Sequence, residues 1–117
     1  MKLEVGQFAR LKSGYICKII NINDFREPNM KYGVEASYLK DVMFIGDDDI
    51  LKASHNIIDI LEFGDYVNGL RVNKIVDGKP IHEDYNDPFY SFGWENDEIK
   101  SVITHEQMEQ MAYKVGE

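Results

Sequence analysis

The sequence predicts a β-dominated fold made of two similar halves, and three observations carry this prediction. Residues 3–8 (LEVGQF) are matched by residues 61–66 (LEFGDY), about half a chain length later. Each copy leads to a second glycine, Gly14 or Gly69, in a short turn between alternating apolar segments, as in a β-hairpin. Short strand patterns and frequent turns fill the rest of the chain, which leaves room for only one or two short helices.

The expected architecture is an all-β or β-dominated fold with two SH3-like small-barrel hairpin repeats in a single domain. The repeats span about residues 1–56 and 57–117, either as two packed barrels, which we prefer, or as one barrel elaborated from both copies. A chain of 117 residues has the usual length of one domain, and its 44% of apolar residues can form a core. A barrel of about 60 residues is marginal alone, so we expect the halves to melt together.

In the first half, a run of acidic residues predicts the start of a short helix. Residues 47–49 are three aspartates, which we interpret as a solvated cap at the positive end of a short helix over residues 50–53. The other predicted elements are a turn at 12–14, a loop at 24–31, strands around 31–36 and 41–45, and a connecting strand at 55–61.

The second half contains two local signals that are more specific. Asn68-Gly69 is the dipeptide that favours a type I′ hairpin turn. Thr104 and Gln107 have the spacing of a capping box, which predicts a helix over residues 105–110. The other predicted elements are turns at 78–80 and 84–88 and strands around 88–94, 98–103 and 112–115.

The charge of the chain limits the partners that it can attract. Twenty-one acids against thirteen Lys and Arg give a formal net charge of -8, which disfavours binding to nucleic acid. Such a surplus of negative charge mostly serves solubility, and the alternative interpretation is attraction to a basic surface on another protein. The bases of the first half show no stripe, and we interpret them as ordinary surface charge. No apolar run approaches the ~20 residues of a membrane helix, and no signal-peptide core is present, so we expect a cytoplasmic protein without membrane contact. The lone Cys17 is expected to be buried and inert, as in a reducing cytosol.

Motifs for catalysis and for metal binding are missing from the sequence. His55, His82 and His105 are far apart and lack helical ligand spacing, and the aspartates at 47–49 lack the pattern of a calcium loop. No nucleophile elbow or phosphate-binding loop occurs. We therefore expect no enzymatic activity, no metal and no cofactor.

The most informative segment runs from residue 82 to residue 98, which contains six acids, five aromatic residues and no Lys or Arg. Tyr90, Phe92 and Trp94 share one face of a strand and could be core residues. Alternatively, exposed aromatic anchors inside an acidic rim would form a binding surface for a basic partner. The candidate partner-binding residues are Glu83, Asp84, Tyr85, Asp87, Phe89, Trp94, Glu95, Asp97 and Glu98, to which Asp47, Asp48 and Asp49 add charge.

Three segments resemble a known family. Residues 5–10, 52–69 and 99–104, followed by Glu106 and Gln107, are similar to a family of short acidic hypothetical proteins of bacteriophages and prophages of Firmicutes. The resemblance spans nearly the whole chain and is weakest over residues 26–48 and 79–98. It implies a phage or mobile-element accessory gene expressed in the cytoplasm of a bacterial host, and it carries no catalytic motif.

The sequence thus favours a non-enzymatic interaction protein that binds a basic surface of a host protein. By analogy with other small acidic phage proteins, this partner is expected to be a CRISPR-type or other bacterial defence nuclease, which the chain would inhibit. The alternatives are a small-molecule binding protein, such as a sponge for a nucleotide signal, and a phage structural protein.

Overall fold

A computed structural model describes residues 2–84 and 87–116 of the chain, and strands dominate it. The described residues form small antiparallel sheets, several 3-10 turns and one α-helix. The chain divides into two compact units, residues 1–60 and residues 61–117. The β-dominated fold class is therefore confirmed.

Unit 1 is a five-stranded antiparallel sheet in which the last strand returns to pair with the first. The strand order is β4-β3-β2-β1-β5, so Phe8 of the first strand lies opposite both Lys18 and Ser54. A 3-10 turn, Asp47–Asp49, immediately precedes the returning strand. The strands are β1 (Phe8–Leu11), β2 (Ile16–Ile22), β3 (Tyr32–Glu35), β4 (Met43–Ile45) and β5 (Ile50–Ser54), with further 3-10 turns at Pro28–Met30 and Ile57–Ile60.

The core of unit 1 lies on one face of this sheet. Strand β2 shows the pattern clearly, because Cys17 and Ile19 are buried while Lys18 between them is exposed. The buried cluster is formed by Leu3, Ala9, Leu11, Cys17, Ile19, Tyr32, Val34, Ile45 and Ile50. Burial raises the pKa of the Cys17 thiol to about 11, and the expected burial of this cysteine is confirmed.

Arg10 departs from the expectation that the bases of the first half are ordinary surface charge. Its side chain is fully buried on β1, and Nη1 donates a hydrogen bond to the carbonyl oxygen of Ile60 at 3.1 Å. A buried guanidinium is costly to leave unsatisfied, so Arg10 holds the Ile57–Ile60 turn against β1.

Two predicted elements of the first half are wrong. Residues 50–53 form strand β5 and not a helix, because they pair with β1, whose partners Ala9 and Arg10 lie more than 40 positions earlier. Residues 55–61 contain a 3-10 turn and not a connecting strand. The aspartates do cap a helical segment, but this segment is the 3-10 turn that they themselves form.

Unit 2 contains two three-stranded antiparallel sheets, ordered β10-β9-β8 and β11-β6-β7. A 3-10 turn at Asn96–Glu98 precedes β11. The strands are β6 (Tyr66–Val67), β7 (Leu70–Arg71), β8 (Lys74–Val76), β9 (Lys79–Asp84), β10 (Asp87–Gly93) and β11 (Val102–Ile103), and helix α1 spans His105–Met111.

The two specific predictions for the second half, the Asn68-Gly69 turn and the helix capped by Thr104, are confirmed. Asn68 and Gly69 have φ values of 51° and 87°, so the predicted type I′ turn joins β6 to β7. Thr104 caps α1: its Oγ1 accepts from the Gln107 N–H at 3.2 Å, and the Gln107 side chain accepts from the Thr104 N–H at 3.0 Å. The turn predicted at 78–80 is instead a two-residue turn formed by Asp77 and Gly78, and Pro80 belongs to β9.

Two other predictions for the second half need correction. The strand expected at 98–103 is limited to Val102–Ile103, because residues 96–98 form a 3-10 turn. Residues 112–115 are exposed and form no strand.

Within the described residues no sheet closes on itself, so the SH3-like barrels are not confirmed. None of the described helices has the length and apolar character needed to cross a membrane.

Candidate functional site

The acidic turn, residues 95–98, is the part of the predicted site that the structure describes best. Glu95, Asp97 and Glu98 are all exposed. Two hydrogen bonds close the turn: the Glu95 N–H donates to Glu98 Oε1 at 2.9 Å, and the Glu98 N–H donates to the Glu95 carbonyl at 3.0 Å. Because Glu98 is used as a cap, Glu95 and Asp97 are the carboxylates that this turn presents to solvent.

Asn68 holds the acidic turn from the neighbouring hairpin. Its Nδ2 donates to the Glu98 carbonyl at 2.8 Å, and its Oδ1 accepts from the N–H groups of Lys100 and Ser101 at 2.8 and 3.0 Å. Lys100 also donates from Nζ to the Asp97 carbonyl at 3.0 Å. The turn is therefore fixed by side chains on both sides and not only by its own backbone.

Trp94, the residue before the acidic turn, is buried, with 4% of its surface exposed. The hypothesis that its ring is an exposed anchor for a partner is therefore corrected. Its burial agrees with the alternative interpretation as a core aromatic, and a partner that binds the acidic turn cannot reach most of this ring.

Several predicted site residues lie where the structure gives no side chain to examine. Tyr85 lies outside the described residues. Asp84 and Asp87 pair with each other at the ends of β9 and β10, and Phe89 lies on β10, but their side chains are outside the described part of the chain. Their proposed role in binding stays a prediction.

Glu83 was predicted to present its charge to a basic partner. It is half-buried, and its carboxylate is paired with a lysine of the same chain. Lys74 on the adjacent strand β8 donates from Nζ to Glu83 Oε1 at 3.0 Å. The backbone of Glu83 is also fixed, since the Asn73 side chain accepts from its N–H and donates to its carbonyl, both at 2.7 Å. Sequence reasoning missed Lys74 because it lies nine residues away and meets Glu83 only through strand pairing.

The aspartate turn, residues 46–49, is built in unit 1 on the same plan as the acidic turn. The Gly46 N–H donates to Asp49 Oδ2 at 3.0 Å, and Asp47 Oδ1 accepts from the Tyr32 hydroxyl at 2.6 Å. Burial, followed by this hydrogen bond, raises the pKa of Tyr32. Asp47 and Asp49 therefore have structural partners, and all three aspartates of the turn, Asp47, Asp48 and Asp49, are exposed.

A third group, which the sequence did not reveal, is the His–Glu cluster formed by Glu62, His105 and Glu106. One ligand atom from each side chain lies within 4.8 Å of the other two, and all three residues are half-buried. His105 Nε2 is 2.9 Å from Glu62 Oε1 and 2.5 Å from Glu106 Oε1. Glu62 and His105 are 43 positions apart. The only sequence signal was the position of Glu62 in the repeated segment.

The repeated segments adopt the same turn in both units. Gly6 and Gly64 have φ values of 96° and 93°, a conformation that glycine adopts without strain. Each donates its N–H, at 2.8 Å, to the carbonyl of a fully buried residue, Ile19 or Val72. The repeat predicted from the sequence thus corresponds to a repeated backbone structure.

A histidine contacts this turn in each unit. His55 Nε2 lies 3.1 Å from Glu4 Oε2 in unit 1, as His105 lies beside Glu62 in unit 2. The residue after the histidine differs, because Asn56 follows His55 whereas Glu106 follows His105. The second carboxylate is therefore specific to unit 2.

Comparison of the chain with known protein families, with curated proteins and with solved structures found no match. The resemblance to a phage family therefore stays a prediction, and the function has to be argued from the residues themselves.

Proposed function

We propose that the protein is a non-enzymatic binding protein that attaches to a basic surface of a partner protein through its acidic turn. The observation that carries this proposal is the fixed turn in which Glu95 and Asp97 are exposed while Glu98 and Asn68 hold the backbone. A backbone that is already ordered loses little entropy on binding, which makes such a turn a better binding element than a flexible acidic loop.

The charge of the whole chain supports this proposal. A net charge of -8 attracts a basic surface over a distance and accelerates association, and the attraction weakens with salt because it is screened within about 8 Å at physiological ionic strength. The stretch from residue 80 to residue 99 contains no Lys or Arg, so the turn has no base of its own on the N-terminal side. Lys100 closes the stretch and donates to a backbone carbonyl.

The partner that we infer is a nucleic-acid-binding host protein in the bacterial cytoplasm, and a CRISPR-type or other defence nuclease fits this description best. Carboxylates of the acidic turn would occupy lysines and arginines that otherwise contact phosphates, so binding would inhibit the nuclease. This narrower proposal rests on the resemblance to phage proteins and on charge.

For the fold, we infer that each unit is an open version of an SH3-like hairpin repeat. The strand order of unit 1, a four-stranded meander followed by a 3-10 turn and a returning strand, supports this inference. In unit 2, β9 pairs with both β8 and β10, and the Asn96–Glu98 turn likewise precedes the strand that returns to the first strand of the unit. A crystal structure that pairs the strands of either unit in a different order would contradict this inference.

The experiment that tests the proposed function is a pull-down from lysate of a bacterial host at about 50 and 200 mM salt. A double variant, Glu95→Gln with Asp97→Asn, removes the two exposed charges of the acidic turn. The matched control, Glu27→Gln with Glu109→Gln, changes the net charge equally at two exposed acids elsewhere. Recovery of a basic protein by wild type and control, and its loss by the acidic-turn variant and at higher salt, would support the proposal.

Two results would contradict it. Equal loss of the partner from both variants would mean that only total charge matters and that the turn is not a site. Recovery that does not change with salt would exclude an electrostatic mechanism.

Small-molecule binding has one observation in its favour, a groove of about 440 Å³ in unit 1. Lys18 and Lys40 line it together with Glu35 and Asp41, so its charges balance and do not select an anion. A rise in melting temperature with a panel of nucleotides, lost in Lys40→Gln, would favour this alternative over protein binding.

A further inference from the structure

We propose that the His–Glu cluster, Glu62, His105 and Glu106, is a binding site for a divalent transition-metal ion, with Zn²⁺ as the ion that it fits best. The proposal concerns unit 2 alone and is independent of the acidic turn. It depends on the geometry of three side chains, on the buried group that positions them, and on a comparison with the matching turn of unit 1.

The first step is the crowding of two carboxylates on one nitrogen. Glu62 Oε1 and Glu106 Oε1 both lie within hydrogen-bond distance of His105 Nε2, at 2.9 and 2.5 Å. In a neutral imidazole this nitrogen has either one proton or one lone pair, so it cannot donate fully to both oxygens. Two half-buried carboxylates beside each other are a favourable place for a cation.

The second step is the small movement that metal binding requires. Zn–N bonds are about 2.0–2.1 Å and Zn–O bonds about 2.0–2.2 Å, which places two tetrahedral ligand atoms roughly 3.4 Å apart. The contacts of His105 Nε2 would therefore lengthen by less than about 1 Å, since they are now 2.9 and 2.5 Å. Rotation of the two glutamate side chains provides this change without moving the backbone.

The third step is that a buried carboxylate fixes the backbone of the site. Asp65 is fully buried; its Oδ2 accepts from the Glu62 N–H at 2.7 Å and its Oδ1 accepts from the His105 N–H at 2.9 Å. A single side chain thus holds two of the three ligand residues in place. The capping box of Thr104 fixes the start of α1, and with it the direction of Glu106.

Gly64 brings the two parts of the site close together. A Cβ atom added at this position would lie 3.3 Å from the Cβ of His105, which shows how near the turn approaches the helix start. The positive φ of 93° at the same residue also disfavours a larger side chain. The Glu62 turn and His105 are therefore held in contact by backbone structure.

The fourth step is the comparison with unit 1, where the same turn lacks the third ligand. Glu4 and His55 form a pair at 3.1 Å, and their side chains are 65% and 51% exposed. In the cluster, the side chains of Glu62, His105 and Glu106 are 28%, 40% and 25% exposed. A Glu–His contact alone is thus part of the repeated turn, and the additional, less exposed Glu106 turns it into a three-ligand site.

The ligand set decides the class of metal. One imidazole nitrogen and two carboxylate oxygens suit Zn²⁺, Mn²⁺, Co²⁺ or Ni²⁺, whereas Ca²⁺ and Mg²⁺ prefer oxygen ligands alone and Cu⁺ prefers sulfur. Three protein ligands leave one position of a tetrahedral ion for water.

The test is calorimetric titration of the untagged, chelator-treated full-length chain with Zn²⁺, using Co²⁺ as the spectroscopic probe. We expect one ion per chain, a rise in melting temperature, and visible Co²⁺ absorption of a tetrahedral or five-coordinate site. Glu106→Gln retains a hydrogen-bond acceptor for His105 but removes a ligand charge, and it should weaken Zn²⁺ binding at least tenfold. The matched controls, Glu109→Gln on the same helix and Glu4→Gln in the turn of unit 1, should bind as wild type does.

A second measurement does not depend on any variant. Two-bond ¹H–¹⁵N spectra of the histidine rings should show Zn²⁺ shifting the His105 nitrogens while those of His55 and His82 stay in place. No heat and no change at His105 up to millimolar Zn²⁺ would overturn the proposal. So would equal affinities of Glu106→Gln and Glu109→Gln, or shifts at all three histidines together, which would indicate non-specific binding.

Discussion

Among single residues, Asn68 connects the β6–β7 hairpin to the acidic turn. Its left-handed φ of 51° suits the type I′ turn, while its amide makes three hydrogen bonds to residues 98, 100 and 101. Local turn chemistry and the presentation of the acidic turn therefore depend on the same side chain.

Replacing Asn68 with glycine separates these two roles, because glycine accepts the positive φ but has no amide. We expect Asn68→Gly to lower the free energy of unfolding by about 1–3 kcal/mol in urea denaturation, since each exposed hydrogen bond contributes about 0.5–1.5 kcal/mol. Asp77→Gly is the control, as Asp77 occupies the first position, with φ 50°, of the two-residue turn between β8 and β9. It should change stability by less than about 0.5 kcal/mol. Equal effects would show that the amide does not hold the acidic turn.

Cys17 gives a second prediction at this scale. With a pKa of about 11 in the folded chain against 9.0 for a free thiol, its thiolate fraction at pH 8 falls about 100-fold. Alkylation by iodoacetamide at pH 8 should therefore be at least 100-fold slower in the native protein than in urea. Rapid native alkylation would show that the thiol is accessible.

The same shift has a consequence for stability. The pKa of Cys17 is higher in the folded chain than in the unfolded chain. The thiol therefore contributes its full share to the free energy of unfolding below pH 9, and this share is lost as the pH rises through about 11. Cys17→Ala should remove this part of the alkaline loss, which urea denaturation between pH 8 and 11 would measure.

For the elements, the close approach of two 3-10 turns of unit 1, Pro28–Met30 and Asp47–Asp49, sets a strict requirement at Gly46. An added Cβ there would collide with the Pro28 carbonyl and lie 2.7 Å from the Cα of Asn29, both backbone atoms. We expect Gly46→Ala to destabilise the fold by about 2 kcal/mol or more, because backbone has to move. Gly93→Ala is the control, since its nearest neighbours would be 3.9 Å away. Similar melting temperatures of the two variants would contradict this account.

The elements also show which features could be predicted from the sequence. The Asn68-Gly69 turn and the Thr104 cap depend on neighbouring residues, so their chemistry can be read directly. Strand β5 was mistaken for a helix because its state is decided by pairing with β1. The same limit applies to the candidate site: the acidic turn was found as a local cluster, but the Lys74 partner of Glu83 requires strand pairing.

The His–Glu cluster could not be predicted from local sequence patterns, because strand pairing brings its residues together. Glu62 and His105 meet because β6 pairs antiparallel with β11. This pairing brings the segment before β6, which contains Glu62, next to the start of the helix that follows β11. Histidine spacing in the sequence therefore gave no metal signal, although the repeated turn containing Glu62 was visible. Long-range pairing, and not local pattern, creates this site.

On the scale of the whole molecule, charge and a rigid presenting turn combine into the proposed binding function. In this proposal the net charge of -8 would provide long-range attraction, and the acidic turn would provide the specific contact. Total charge should govern the association rate, whereas the turn should govern how slowly the complex dissociates.

The measurement that tests this account most directly is the affinity for the captured partner as a function of salt, for wild type and the two charge-matched double variants. We expect affinity to fall steeply with salt for wild type and for Glu27→Gln with Glu109→Gln. Glu95→Gln with Asp97→Asn should bind at least tenfold more weakly at low salt and depend less on salt. If the two double variants instead bind alike at every salt concentration, the acidic turn is not the contact, and the central claim is wrong.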